Sequence, residues 1–142
     1  PPSMAAPTKQ SNQIPPRNMK ILIVDDDPAI RLLLFTVFGE QHDVSVLCDG
    51  HNAVSLLSDP NHQFDVVLLD LKMPRLSGEM VLEFLSGWQN IKTKFIIVSG
   101  FHEEAQHLKY SNLIATLAKP FNIKELVELV EGSVDVPFEA VN

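Results

Sequence analysis

The chain has 142 residues, 45% of them hydrophobic, which is sufficient to bury the core of one domain of ordinary size. Eleven basic residues against eighteen acidic ones give a formal charge of -7, which argues against direct binding of nucleic acid or an anionic membrane. A single cysteine excludes an internal disulfide, and with five scattered histidines it forms no zinc-type spacing. Because no apolar run could span a bilayer or resembles a signal peptide, we expect a cytoplasmic protein.

The chain divides into two tails and one folded unit. Residues 1–18 are rich in proline and small polar residues, so we expect a flexible N-terminal tail there and a C-terminal tail at residues 133–142. Between them, short apolar runs alternate with amphipathic stretches. The apolar runs predict five strands, at residues 20–24, 44–48, 65–69, 94–98 and 113–118. We expect Cys48 to be a small hydrophobic residue on the second strand.

Five amphipathic patterns predict helices between and after these strands. Their apolar positions are Ile30, Leu33, Leu34 and Val37; Ala53, Leu56 and Leu57; Val81, Phe84, Leu85 and Trp88; a stretch across residues 102–109; and Ile123, Leu126, Val127 and Val130. This alternation predicts an α/β domain with a doubly wound parallel sheet. The strands are continuously apolar, which is typical of a sheet covered on both faces.

Polar residues follow directly after several of the predicted strands. Three aspartates from Asp25 to Asp27 follow the first strand, Asp70 follows the third, Ser99 the fourth and Lys119 the fifth. In such sheets, functional groups gather beyond the carboxyl ends of the strands, so we expect these side chains to meet at one edge.

The run of aspartates needs a physical explanation. Two carboxylates about 5 Å apart repel by roughly 3 kcal/mol at an effective dielectric near 20, and no gain in stability offsets this. A bound cation would make the arrangement tolerable. Asp27 has a separate explanation, because aspartate caps helices well and Pro28 suits a first helical turn.

Four segments occur in a fixed order along the chain: ILIVDDDPAIR, DVVLLDLKMPRLSG, FIIVSG and LAKPF. In this combination, over residues 19–132, the chain resembles the receiver domain of a two-component response regulator. The resemblance implies a flavodoxin-like fold with five helices and a five-stranded parallel sheet in the order 2-1-3-4-5. It also implies a cytoplasmic signalling domain and phosphoprotein, which is not an enzyme in its own right but assists its own phosphorylation and dephosphorylation.

The resemblance implies a chemical role for Asp70 as the phosphoacceptor. A sensor histidine kinase or phosphotransfer protein of a phosphorelay would donate the phosphoryl group in a reaction that requires Mg²⁺. Phosphorylation would then change the surface that meets an output domain or target protein, and a homodimer is compatible with the family. Asp25, Asp26 and Asp70, with the backbone carbonyl of Lys72, would hold the Mg²⁺.

Other residues match the family by position. Lys119 would pair with the phosphoryl oxygens, and Ser99 would hydrogen-bond the phosphoryl group and draw its loop inward. The proline and glycine of KMPRLSG, Pro74 and Gly78, would shape the loop after the phosphoacceptor, and Pro120 matches the proline that follows the lysine.

The chain departs from the usual pattern of the family at three places. Receivers commonly carry an aromatic residue three positions before the lysine, whereas this chain has Thr116. The interval from Ser99 to Lys119 is shorter than usual, so we expect a short or displaced fourth helix. Lys72 and Phe101 stand near the phosphoryl group, at positions where receivers vary.

Three other functions are compatible with parts of this pattern. A haloacid-dehalogenase-type phosphatase also uses an aspartate and Mg²⁺, but its D-x-D-x-T/V motif fails at Ala29. A flavin-binding module would need a Ser/Thr/Gly-rich phosphate loop after the first strand, which is missing. A receiver fold that acts only as a phosphorylation-independent interaction module would not need all its acidic, hydroxyl and lysine positions filled.

Overall fold

The computed structural model describes residues 18–86 and 92–137, so the predicted position of Trp88 in a helix lies outside the described residues. Within these ranges, strands and helices alternate. They are β1 (Lys20–Val24), α1 (Pro28–Phe38), β2 (Asp43–Leu47), α2 (Gly50–Leu57), β3 (Val66–Leu69), α3 (Gly78–Ser86), β4 (Lys94–Ser99), α4 (His102–Ala105), β5 (Leu113–Ala118) and α5 (Ile123–Gly132). No helix in the described ranges is both long enough and apolar enough to cross a membrane.

The five strands form one sheet in the order β2-β1-β3-β4-β5, and every neighbouring pair is parallel. The predicted fold class, strand order and number of helices are therefore confirmed. A register irregularity between Phe95 and Ile96 interrupts the pairing of β4 with β5.

Apolar side chains cover both faces of the sheet. Every residue of β3 and β4 is buried. Because successive side chains of a strand point to opposite faces, β1 contributes Leu22 and Val24 to one core cluster and Ile21 and Ile23 to the other. The first cluster packs against α2, α3 and α4, and the second against α1 and α5. The expected burial of the sheet on both faces is confirmed.

Helix α1 begins as its sequence predicts. Asp27 is the N-cap, with a carboxylate oxygen that accepts a hydrogen bond from the backbone N–H of Ala29 at 2.9 Å, and Pro28 is the first helical residue. This contact satisfies one of the backbone donors that a helix N-terminus leaves unpaired. Asp27 is therefore occupied by local structure.

Several predicted details differ from the structure. Strand β2 ends at Leu47, so Cys48 follows the strand and is exposed, not part of its apolar surface. Leu33, Phe84 and Ile123 are exposed as well, because the buried stripe of each helix is narrower than the apolar pattern in the sequence. An apolar pattern marks a helix but does not give the width of its contact with the sheet.

Helix α4 is a single turn of four residues, His102–Ala105, shorter than the predicted stretch 102–109. Beyond it the chain continues as turns, with the N–H of His107 bonded to the carbonyl of Glu104 and that of Leu108 to the carbonyl of Ala105. The expectation of a short fourth helix is confirmed.

The chain after α5 is attached to the domain. Residues Ser133–Asp135 form a 3-10 helix, and Ser133 is buried. The side-chain amine of Lys94, at the start of β4, donates hydrogen bonds to the backbone carbonyls of Ser133, at 2.5 Å, and of Val136. The first residues of the expected C-terminal tail are thus held against the amino end of β4.

Candidate functional site

Backbone hydrogen bonds continue the sheet for one residue beyond three of its strands. The N–H of Asp25 bonds to the carbonyl of Leu47 at 3.1 Å, and that of Asp70 to the carbonyl of Val24 at 2.9 Å. The N–H of Lys119 bonds to the carbonyl of Ser99 at 2.9 Å. The predicted functional residues are therefore held by the sheet itself, which fixes their backbones more firmly than a free loop would.

Three aspartates form an acidic cluster at this carboxyl edge. Asp25, Asp26 and Asp70 each offer one carboxylate oxygen, and these oxygens lie within 4.8 Å of one another. Asp25 and Asp70 are buried, whereas Asp26 is exposed. The remaining oxygen contacts include a hydrogen bond from the N–H of Asp27 to the carboxylate of Asp25, at 2.9 Å.

One lysine lies among these carboxylates. The Lys119 amine is 2.7 Å from an oxygen of Asp25 and 3.7 Å from an oxygen of Asp70. The structure thus brings together four of the residues predicted from the sequence, at the predicted edge. A single positive charge facing three carboxylates leaves the cluster with excess negative charge.

The surroundings of Asp70 raise the pKa of its carboxyl group. Burial raises the pKa of its carboxyl group from 3.8 to about 6, the negative charges of Asp25 and Asp26 act in the same direction, and Lys119 opposes them. At neutral pH the group is still ionised. The ionised carboxylate therefore destabilises the folded protein, and a bound cation would reduce this loss of stability.

The acidic cluster can bind a metal ion. Carboxylate oxygens are the ligands that Mg²⁺ and other hard divalent cations prefer, and three of them converge here. Asp26, the exposed member, would leave an ion bound here open to water. The role of the backbone carbonyl of Lys72 as a fourth ligand stays a prediction.

Ser99 is the last residue of β4 and lies at the same carboxyl edge of the sheet as the acidic cluster. Ser99 is fully buried, and its Oγ accepts a hydrogen bond from the N–H of Phe101 at 3.0 Å. This contact ties the hydroxyl to the loop that leads into α4.

Gly78 shapes the loop after Asp70. A Cβ atom at this position would lie 2.2 Å from the backbone oxygen of Asp70, and the Gly78 N–H bonds to the carbonyl of Leu71 at 2.8 Å. Only glycine allows this approach. In the loop after β5, the peptide bond between Lys119 and Pro120 is cis.

Three contacts of the site were missed by sequence reasoning. The Lys72 amine pairs with the carboxylate of Glu104 at 2.7 Å and lies 5.2 Å from the centroid of the Phe101 ring. The guanidinium of Arg31, in α1, donates a hydrogen bond to the backbone oxygen of Asp25 at 2.7 Å. The two contacts of Lys72 have no sequence signal, because they join segments whose approach depends on the course of the chain, and the contact of Arg31 depends on how α1 lies against the end of β1.

Comparisons with known proteins agree with this geometry. The family described as "Response regulator receiver domain" matches residues 21–131. Sporulation initiation phosphotransferase F of Bacillus subtilis is 32% identical over 116 residues, which cover 80% of this chain and 92% of that protein. Other curated relatives are longer, and the chain spans 24% to 63% of their length.

Solved structures give the same result. The receiver domain of the Francisella response regulator 1452 has a TM-score of 0.71 and 34% sequence identity, and the match covers 83% of this chain and 98% of that one. The response regulator TrrA of Thermotoga maritima, solved in complex with Mg²⁺-BeF, has a TM-score of 0.70 and 28% identity over 81% of this chain and 98% of that one. The chain belongs to the response regulator receiver domain family, the signalling domains of two-component systems.

Proposed function

We propose that this receiver domain accepts a phosphoryl group on Asp70 from a sensor histidine kinase or phosphotransfer protein, in a Mg²⁺-dependent reaction. Phosphorylation then changes the surface offered to an output domain or target protein. One observation carries the proposal: Asp70 lies within 4.8 Å of two further carboxylates and 3.7 Å from the amine of Lys119. This is a carboxylate nucleophile surrounded by the groups that phosphoryl transfer needs.

The covalent step takes place on the Asp70 carboxylate. One of its oxygens forms a bond to phosphorus while the phosphorus–nitrogen bond of the donor phosphohistidine breaks. The imidazole nitrogen keeps the electron pair and takes up a proton. The ionised carboxylate is the reactive form, and with a pKa raised to about 6 it is the main form at neutral pH.

The residues around Asp70 neutralise charge and position the phosphoryl group. Lys119, which lies between Asp25 and Asp70, pairs with the incoming phosphoryl oxygens. Asp25, Asp26 and Asp70, with the backbone carbonyl of Lys72, would hold Mg²⁺, which would further neutralise the charge of those oxygens. The complex of the Thermotoga relative with Mg²⁺-BeF supports this assignment, because beryllofluoride is a phosphoryl mimic.

Ser99 reports the arrival of the phosphoryl group. Its hydroxyl turns to donate a hydrogen bond to a phosphoryl oxygen and gives up the N–H of Phe101. The family assignment favours this switch over the phosphatase and flavin-binding alternatives. We also propose that residues 19–132 form the receiver domain, with a tail at 1–18 and a C-terminal segment at 133–142 whose first residues are attached to β4. We further propose that the domain is compatible with a homodimer and that it binds no nucleic acid directly.

The assignment of Asp70 is tested by labelling with acetyl phosphate and Mg²⁺, followed by intact-mass spectrometry. The wild type is expected to gain one phosphoryl group and Asp70→Asn none, because the substituted amide is not a nucleophile. Asp27→Asn is the matched control, since Asp27 caps α1 and lies outside the acidic cluster. Equal labelling of the wild type and Asp70→Asn would refute the assignment.

A further inference from the structure

A bridge of three side chains crosses between the loop after Asp70 and helix α4. The Lys72 amine contacts the carboxylate of Glu104 at 2.7 Å and the ring of Phe101 at 5.2 Å. The side chains of Lys72 and Glu104 are 49% and 57% exposed, so water screens their attraction strongly. The bridge therefore attaches α4 to the phosphoacceptor loop by a contact that another partner can replace.

Lys72 stands close enough to Asp70 to change partner. The two residues are separated by one position, and consecutive Cα atoms are about 3.8 Å apart, so their Cα atoms are within about 7.6 Å of each other. A lysine side chain is long and flexible, and its amine takes new hydrogen-bond acceptors in many directions. A phosphoryl group carries about -1.5 to -2 charge at neutral pH, more than the single charge of Glu104.

We propose that the Lys72–Glu104 bridge is broken by phosphorylation, because Lys72 exchanges the carboxylate of Glu104 for the oxygens of the phosphoryl group on Asp70. Glu104 thus competes with the phosphoryl group for Lys72 and holds α4 in its unphosphorylated position. This inference rests on the proposed function of Asp70. It adds a residue, Glu104, that sets how strongly the site binds a phosphoryl group.

The exchange would act together with the turn of Ser99. The segment from Gly100 to Glu104, which includes most of α4, has two attachments to the site, the hydrogen bond from Phe101 to Ser99 and the Lys72–Glu104 bridge. The phosphoryl group removes both at once. Two-state coupling requires an element with different contacts in each state, and this segment meets that requirement without an aromatic residue at Thr116.

The test is the binding of beryllofluoride, in the presence of Mg²⁺, to the purified chain. We expect Glu104→Gln to lower the dissociation constant about two- to fivefold, the range that the loss of an exposed competing ion pair supports. Glu103→Gln is the matched control, since Glu103 is exposed on the same helix and forms no ion pair among the described residues. Its effect should be less than about 1.5-fold because solvent and salt screen a charge that makes no contact.

A second pair of variants separates competition for Lys72 from a general loss of negative charge. Lys72→Met should weaken binding of the mimic, and Glu104→Gln should have no further effect in that background. In amide NMR spectra without the mimic, Glu104→Gln should move the signals of residues 101–109 part of the way toward their positions in the beryllofluoride-bound wild type.

The outcomes distinguish this inference from the function on which it rests. If the wild type does not bind beryllofluoride at Asp70, the proposed function and the bridge exchange both fail. If the wild type binds and Asp70→Asn does not, but Glu104→Gln equals Glu103→Gln, the bridge exchange alone is wrong. An equal gain from Glu104→Gln with and without Lys72 would also overturn it.

Discussion

The two edges of the sheet treat charge in opposite ways. At the carboxyl edge, three carboxylates converge, and within the described residues Lys119 is the cation that contacts two of them. At the amino edge, the buried amine of Lys94 is matched by two backbone carbonyls. Negative charge is in excess at one end of the sheet, whereas the buried charge at the other end has hydrogen-bond acceptors.

The buried histidine of the amino edge shows the same matching. His42 accepts a hydrogen bond from the N–H of Met19 at 3.1 Å through one ring nitrogen and contacts Glu131 at 3.3 Å through the other. Buried polar groups with partners stabilise a fold, whereas an unmatched charge costs stability unless a ligand compensates it. The difference indicates that the polar groups of the amino edge stabilise the fold, whereas the carboxylates of the carboxyl edge destabilise it until a ligand neutralises them.

The largest effect on stability should come from removing the buried amine of Lys94. Lys94→Met removes the donor to the carbonyl of Val136 and leaves the carbonyl of Ser133 with only the backbone N–H of Val136, so we expect the free energy of unfolding to fall by about 2–4 kcal/mol. Urea denaturation measures this. Lys92→Met, at an exposed position of the same segment, is the control and should change stability little. A loss of stability no greater than that of Lys92→Met would show that the hydrogen bonds of Lys94 do not stabilise the fold.

At the carboxyl edge, removal of a charged group should raise the free energy of unfolding instead of lowering it. Because the pKa of Asp70 is raised from 3.8 to about 6, the native state keeps a proton that the unfolded chain releases, and stability falls as pH rises between these values. With a chelator at pH 7.5, Asp70→Asn should therefore raise the free energy of unfolding by about 2–3 kcal/mol. The gain should shrink between pH 6 and 4 and nearly vanish below pH 4.

Urea titrations of the wild type and Asp70→Asn at several pH values measure this dependence. Asp27→Asn again serves as the control, since asparagine caps helices about as well as aspartate. A destabilised Asp70→Asn at pH 7.5, or a gain that grows toward acid pH, would contradict the account of the cluster.

A smaller effect on stability should come from the addition of Mg²⁺. Binding of Mg²⁺ to the native state alone stabilises it by about 1.4 kcal/mol at a concentration ten times the dissociation constant, and thermal unfolding measures the shift. Asp26→Asn should weaken this response and stabilise the metal-free protein, because one repelling charge is gone. Lys94→Met, altered at the other edge, should respond to Mg²⁺ like the wild type. No Mg²⁺ effect in the wild type would argue against the site.

The sequence alone predicted which residues lie at the carboxyl edge of the sheet, because the patterns that mark this edge are local in the chain. Continuous apolar runs mark buried strands, and residues just beyond parallel strands must share one edge, so Asp25, Asp70 and Lys119 could be brought together on paper. The strand order needed the resemblance to a known family. The cap formed by Asp27 needed only its own short segment.

The missed features depend on the three-dimensional course of the chain. Lys94 was the first residue of a predicted strand, and nothing in the sequence around it indicates that the segment after α5 returns to accept hydrogen bonds from its amine. The bridge from Lys72 to Glu104 joins residues 32 positions apart along two loops. Phe84 was placed on the buried face because apolar spacing marks a helix side, while 60% of its surface is exposed.

The single turn of α4 has a consequence for its stability. A helix of four residues has almost no stability of its own, because one turn is only the nucleus from which longer helices grow. The hydrogen bonds of α4 therefore do little to hold it in place, and its contacts with other segments, such as the ion pair of Glu104 with Lys72, do so instead. We expect the backbone amides of α4 to exchange with solvent faster than those of the longer helices α1 and α5.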